Sequence, residues 1–241
     1  MKKYFLCILA VFFLLLPSAA LALPELQLYL EGGSYNTLTE SWELSGVDTA
    51  RLWVIGDVGA KGNLYNVMLY AAYAEQAGAV TITLNPTTTG GYGGFVDPSK
   101  PVGVGGLSTE TETGTTPPKL SGHGIYGAGV AWSGFGLGNF TLKDSPIADF
   151  QNSLPSPEAR KLGQINVYEV VVEGLLAGGL HFDITGYYLK NKTQKDVFGP
   201  YSHDADAGFS VSVPESSTML LLGFGLMGLA GFGRKKLFNR S

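Results

Sequence analysis

Through the middle of this chain, apolar residues recur at every second position in short bursts, and that period narrows the fold more than anything else. Leu26-Gln27-Leu28-Tyr29-Leu30, Val80-Thr81-Ile82-Thr83-Leu84 and Phe209-Ser210-Val211-Ser212-Val213 all alternate, as strands do when one face rests on a core. Leu180-His181-Phe182-Asp183-Ile184-Thr185 alternates too, which points Leu180, Phe182 and Ile184 inward and His181 and Asp183 outward. Continuous apolar runs at Leu52 to Ile55, Val67 to Ala74 and Val170 to Val172 suit central strands covered on both faces. Val67 to Ala77 also fits a helix stopped by Gly78, but Val67, Tyr70 and Tyr73 favour a strand. Asn139 to Leu142 and Ile165 to Glu173 add further strands. The chain has 34 Gly in 241 residues and no G-X-Y period, so it should turn often. Helix candidates are short, such as Ser156 to Lys161 with a capping Ser and Pro157 in the first turn. The expected fold is all-β, an antiparallel β-sandwich of jelly-roll-like form.

One stretch resists this pattern. Asn85 to Leu120, 36 residues rich in Thr, Gly and Pro, is longer than ordinary loops. It reads as a mobile surface loop or as one or two edge strands around Tyr92-Gly93-Gly94-Phe95-Val96. Neither flank holds apolar residues enough for a second core, so 85–120 reads as an insertion in one domain spanning 23–212.

The two ends differ from the body. Residues 1–22 have the three parts of a secretory signal: Lys2 and Lys3, the apolar stretch Tyr4 to Leu16, and a small-residue exit at Pro17 to Ala22. Ala20-Leu21-Ala22 places cleavage by signal peptidase before Leu23. Cys7 would leave with that segment, so the mature chain has no disulfide, thiolate nucleophile or Cys-based metal site. From Leu23 to Val213 there are 10 Lys and Arg against 19 Asp and Glu, a net of −9. An acidic body of that kind excludes nucleic acid as a partner.

At the other end, 213–241 divides into a polar motif, an apolar segment and a basic tail. Val213-Pro214-Glu215-Ser216-Ser217-Thr218 leads into the run Met219 to Gly233, followed by 234–241 with Arg234, Lys235 and Lys236. As a helix the run is about 22 Å long, short of the ~30 Å hydrocarbon core. Including Ser216 to Thr218, and letting Lys235 and Lys236 snorkel, brings it near a thin span. The basic cluster should stay cytoplasmic and leave the body outside. This tail resembles the PEP-CTERM sorting signal of bacteria that make exopolysaccharide, although Ser216 stands where the second proline of that motif is usual. The resemblance implies an exosortase-like membrane enzyme as partner, which removes the tail and sends the protein outward. It also implies transient anchoring in the inner membrane with the body in the periplasm, then a surface or extracellular location. Gly223-Phe224-Gly225-Leu226-Met227-Gly228 matches a dinucleotide fingerprint, but it lies inside the apolar run with no strand before it, and is a false positive.

The body carries phrases of its own. Leu26 to Tyr35, Thr39-Glu40-Ser41-Trp42, Leu52 to Gly56, Ser121-Gly122-His123-Gly124-Ile125-Tyr126, Ser145 to Phe150 and Ser202-His203-Asp204-Ala205 together resemble the choice-of-anchor N family of exported bacterial proteins. Members of that family share a body and vary in sorting tail, and the resemblance implies no reaction.

Catalytic motifs are missing: there is no G-x-S-x-G, H-E-x-x-H, Walker loop or EF-hand loop. His203, Asp204 and Asp206, joined by His181 or Asp183, form a candidate set of metal ligands. The alternative is a His-Asp turn whose side chains bond the local backbone, and on that reading no metal or other cofactor is expected. Tyr92, Phe95, Trp132 and Phe135 lie among glycines, so Trp132 and Tyr92 are candidates for stacking on sugars, with a core position as the alternative for Trp132. Hydrolysis of a glycan would need two carboxylates across a cleft, and sequence selects no pair. The matches to N-x-S/T at Asn139 and Asn191 are read as carrying nothing. The function expected is that of a non-enzymatic surface or extracellular-matrix protein associated with exopolysaccharide. A glycan-binding module, or a glycoside hydrolase or lyase on a sandwich scaffold, are the alternatives.

Overall fold

The computed structural model describes residues 25–59, 62–75, 79–87, 106–107, 110–120, 124–149, 161–174, 178–200 and 204–209. Those residues form fourteen strands and no helix. In chain order they are β1 (Leu26–Leu30), β2 (Ser34–Asn36), β3 (Ser41–Val47), β4 (Thr49–Gly56), β5 (Leu64–Ala74), β6 (Thr81–Thr87) and β7 (Gly106–Leu107). There follow β8 (Glu110–Thr113), β9 (Val130–Phe140), β10 (Ser145–Ile147), β11 (Lys161–Glu173), β12 (Leu180–Lys190), β13 (Thr193–Phe198) and β14 (Asp204–Phe209). One sheet has the order β1-β4-β11-β6-β7, with β10 on β11; the other runs β2-β3-β14-β12-β5-β9-β8, with β13 on β12.

The chain passes repeatedly from one sheet to the other, so buried residues of both meet in one apolar cluster that includes Leu28, Trp53, Val167, Phe140 and Phe182. Gly56 on β4 faces side chains of the other sheet at close range. A Cβ there would stand 2.7 Å from the Phe140 ring of β9 and 3.0 Å from Leu64 of β5, inside contact distance. Of the continuous apolar runs, Leu52 to Ile55 are wholly buried and Val67 to Ala74 belong to a strand, not a helix, whereas Val171 and Val172 of the third run are only half-buried near the end of β11. All five residues of β1 are buried despite their alternation. The face bearing Tyr29 packs edge-on against Trp42 and Trp53, and Gln27 on that same face donates from Nε2 to the carbonyl of Ala148 at 2.8 Å.

Two expectations need correction. The pairing is mixed rather than purely antiparallel, because β14 runs parallel to β3. These strands lie far apart in the chain, so no hairpin dictates their relative direction. Second, Asn139 and Phe140 end a long strand, β9, instead of opening one at Asn139 to Leu142. The glycines of Val130 to Phe140 read as turns in sequence, but β9 is paired with β5 on one side and β8 on the other. There Gly134 admits the Glu110 side chain, which would lie 2.7 Å from an added Cβ. Among the described residues of the 85–120 stretch, β7 borders one sheet and β8 the other. Tyr92 to Val96 and most of Ser156 to Lys161 lie outside the described residues, as do 1–22 and 213–241.

Candidate functional site

Strand β12 carries two chemistries on its two sides. Leu180, Phe182 and Ile184 enter the main core, while His181, Asp183 and Thr185 face the other way. Antiparallel β14 sets Asp206 directly opposite His181 and Ala205 opposite Phe182. The same alternation brings Asp204 beside Asp183 on the face of His181. Beyond β14, parallel β3 sets Ser41 against Asp204. Three strands thereby bring four ionisable side chains and a hydroxyl to one spot.

His181 is the centre of the cluster. Its Nδ1 lies 2.8 Å from Asp206 Oδ1, and its Nε2 lies 3.2 Å from Asp183 Oδ2 and 3.8 Å from Asp204 Oδ2. Ser41 donates from Oγ to the second oxygen of Asp206 at 2.5 Å. Tyr126 donates from its hydroxyl to Asp183 Oδ2 at 2.6 Å. Asp204 Oδ1 is buried and has no hydrogen-bond partner.

This face is not open to water. Residues 124–130 lie across it, and a small second cluster of Tyr70, Ala72 and Trp132, flanked by Ile125, Tyr126 and Val130, covers the sheet. The side chains of Asp183 and Asp204 are 1% and 2% exposed, His181 13% and Asp206 39%. Burial opposes a charge on His181, yet its hydrogen bonds to Asp183 and Asp206, with their negative charge, prevail and push it up to about 10. Burial, then the charge of Asp183 and more weakly of Asp206, push Asp204 up to about 9 against the pull of His181. Burial and Asp183 also raise the Tyr126 phenol far above its ordinary range. Without a ligand the cluster therefore holds an imidazolium and a neutral Asp204 carboxyl at pH 7. His181 and Asp206 also line a groove of about 460 Å³, together with Glu43, Ser45, Tyr73 and Val130.

Of the candidate residues, Asp204 and Asp206 do meet His181 and Asp183, and both belong to strand β14 instead of a turn preceding it. The outward placement of His181 and Asp183 holds in direction only, because the face opposite the main core is covered. Trp132 needs correction as a sugar platform. It is 1% exposed, packs edge-on against Tyr70 at 5.4 Å and donates from Nε1 to Thr115 Oγ1 at 3.1 Å. Its neighbouring glycines belong to a paired strand, and Leu120, Ile125 and Tyr126 pack against the cluster that holds the ring. Phe135 is buried as well. His203, His123 and Tyr92 lie outside the described residues, as do the cleavage residues Ala20, Ala22 and Leu23 and the whole sorting segment from Val213 to Lys236. Sequence reasoning missed Ser41 and Tyr126. No spacing signal links either to His181, since pairing across distant strands brings them there.

The PEP-CTERM protein-sorting motif matches residues 212–235. The chain thus carries the sorting signal of an exported protein handled by an exosortase-like system. No curated protein matches the chain. Among solved structures, the chain is similar to AvmM, described as catalysing macrocyclization in alchivemycin A biosynthesis, at 9% identity and a TM-score of 0.35, over 79% of this chain and 92% of that one. It is also similar to a putative membrane anchored protein from Corynebacterium diphtheriae at 12% identity and a TM-score of 0.27, over 76% of this chain and 35% of that one. At such scores neither likeness bears on activity.

Proposed function

We propose that this chain is a non-enzymatic surface or extracellular-matrix protein, a jelly-roll-like β-sandwich exported, trimmed by an exosortase-like enzyme and retained with exopolysaccharide. One observation carries the reading: the sorting motif at 212–235 begins three positions after β14, the last described strand, ends at Phe209. The body thus reaches its sorting signal with almost no intervening chain. The lack of catalytic motifs supports a structural role, and the resemblance of the body to the choice-of-anchor N family agrees with it. The acidic balance of the body, −9 between Leu23 and Val213, keeps it soluble outside the cell. Intact mass of the protein recovered from its own host tests the proposal. A mature mass beginning at Leu23 and ending between Pro214 and Thr218, in the exopolysaccharide fraction, is expected. A mass running on to Ser241 would overturn it.

The groove beside His181 favours a second reading, that of a glycan-binding module. Glu43, Ser45 and Asp206 set polar groups along it and Tyr73 an aromatic edge, the mixture that holds a sugar ring. Since Trp132 is buried, the test moves to Ser45→Trp, which fills the groove. It should abolish retention on the host polysaccharide without unfolding the body, and unchanged retention would discard this reading.

A further inference from the structure

We infer that His181 Nε2, Asp183 and Asp204 form a binding site for one divalent first-row cation of the zinc type, with Asp206 as the positioning carboxylate behind the imidazole. The two carboxylate oxygens stand within a few tenths of an ångström of the separation from His181 that such an ion imposes. Bonds of about 2.0–2.2 Å in tetrahedral array place neighbouring ligand atoms about 3.3–3.6 Å apart. Asp183 Oδ2 and Asp204 Oδ2 lie 3.2 and 3.8 Å from His181 Nε2, and one donor atom from each of the three residues falls within 4.8 Å of the others.

The surroundings fit the same chemistry. Asp206 accepts the Nδ1 proton at 2.8 Å and is itself held by Ser41. A bound cation would displace the Nε2 proton of the imidazolium, and the Nδ1 bond to Asp206 would then keep Nε2 as the ligating nitrogen, the outer-shell arrangement of metal-bound histidine. Tyr126 orients Asp183 by the hydrogen bond to Oδ2. The independent sign is Asp204. Its carboxyl is 2% exposed, yet Oδ1 has no hydrogen-bond partner. A buried carboxyl oxygen without a partner is costly, and a cation beside His181 held by both oxygens of Asp204, Oδ1 as well as Oδ2, would remove that cost. One nitrogen and carboxylate oxygens suit zinc, whereas calcium takes oxygen ligands and six or more of them. His181 lines the groove, which gives an ion its way in. A bound ion would tie β12 to β14 directly.

The test uses the full chain, purified in detergent, stripped with EDTA and titrated with Zn²⁺, with Ca²⁺ as control. One Zn²⁺ per chain is expected, with a rise in unfolding temperature that Ca²⁺ does not give. Asp204→Asn keeps the size and neutrality of the metal-free side chain, so the stripped variant should melt no lower than the parent. It should bind Zn²⁺ at least 100-fold more weakly and lose the zinc-dependent rise. No stoichiometric zinc, zinc binding untouched by Asp204→Asn, or Ca²⁺ binding as tightly as Zn²⁺ would each overturn the assignment. Co²⁺ in the unaltered chain gives a readout independent of any variant: visible bands of tetrahedral intensity support the site, and weak octahedral bands overturn it. None of these readings depends on whether the tail is trimmed, so the site and the proposed sorting role can fail separately.

Discussion

The two faces of β12 are built from the same strand and are held by different forces. On one, Leu180, Phe182 and Ile184 join a large apolar core fed by both sheets. On the other, His181 and Asp183 belong to a compact ionic cluster, roofed by residues 124–130 and flanked by a small apolar patch around Trp132. The core face gains from area removed from water and is indifferent to pH. The ionic face must compensate the desolvation of several charges with a few well-placed bonds. Burial alone thus does not distinguish a stabilising surface from one kept for binding; the chemistry of what is buried does.

Substitutions can break this contrast. The largest effect should come from the core face, where Phe182→Ala removes a fully buried ring and costs about 3–5 kcal/mol in denaturant unfolding. A loss below about 1 kcal/mol would mean that this face is not the principal core. Next comes pH, which should act on the ionic face alone. In the stripped protein both notable shifts are upward: Asp204 from 3.8 to about 9 and His181 from 6.5 to about 10. A raised pKa contributes stability fully present below the unfolded value and lost as pH climbs through the folded one. The unfolding midpoint should therefore fall between about pH 4 and 10, Asp204 contributing from about pH 4 to 9 and His181 from about pH 6.5 to 10. Asp204→Asn should flatten the lower part of that slope, and Phe182→Ala should leave it unchanged. A parent slope of zero would show that the cluster carries its charges as it would in water.

Smaller effects sharpen the picture. Tyr126→Phe deletes the donor to Asp183 and should cost about 1.5–3 kcal/mol, the range for a hydrogen bond to a charged group. An unaltered midpoint would place Tyr126 away from Asp183. Trp132→Phe keeps an aromatic ring against Tyr70 but loses the bond to Thr115, a matter of about 0.5–1.5 kcal/mol. Leu38, 92% exposed, anchors the lower end: Leu38→Ala should shift stability by no more than about 0.5 kcal/mol.

Period two made the strands legible, along with the side of β12 that meets the core, because alternation is a local property of the chain. What covers the opposite side is not local. Tyr126 comes from the approach to β9, Ser41 from the start of β3 and Asp204 from β14, and only the sheet order brings them to His181. Trp132 shows the converse failure. Its position among glycines suggests an exposed ring, whereas those glycines belong to a paired strand in which Gly134 makes room for Glu110 of β8. All four ionic residues were legible as candidate ligands, Asp204 and Asp206 joined by His181 or Asp183, but no local pattern decided between that set and a His-Asp turn, because pairing of β12 with β14 is what brings them together.

Strand β14 lies between β3 and β12, joining Ser41 to Asp206 across 165 positions of sequence. Its place in the middle of the sheet has a kinetic consequence. A ribosome delivers β3 early and β14 after β12, so the edges of β3 and β12 that β14 joins stay without it until it arrives. Closing them waits on six late residues, and contacts of such long range are slow to form. Until then those edges can recruit a chaperone or a neighbouring chain. For an exported protein, that delay keeps the polypeptide threadable during passage and postpones the finished sheet until almost the entire body has been delivered.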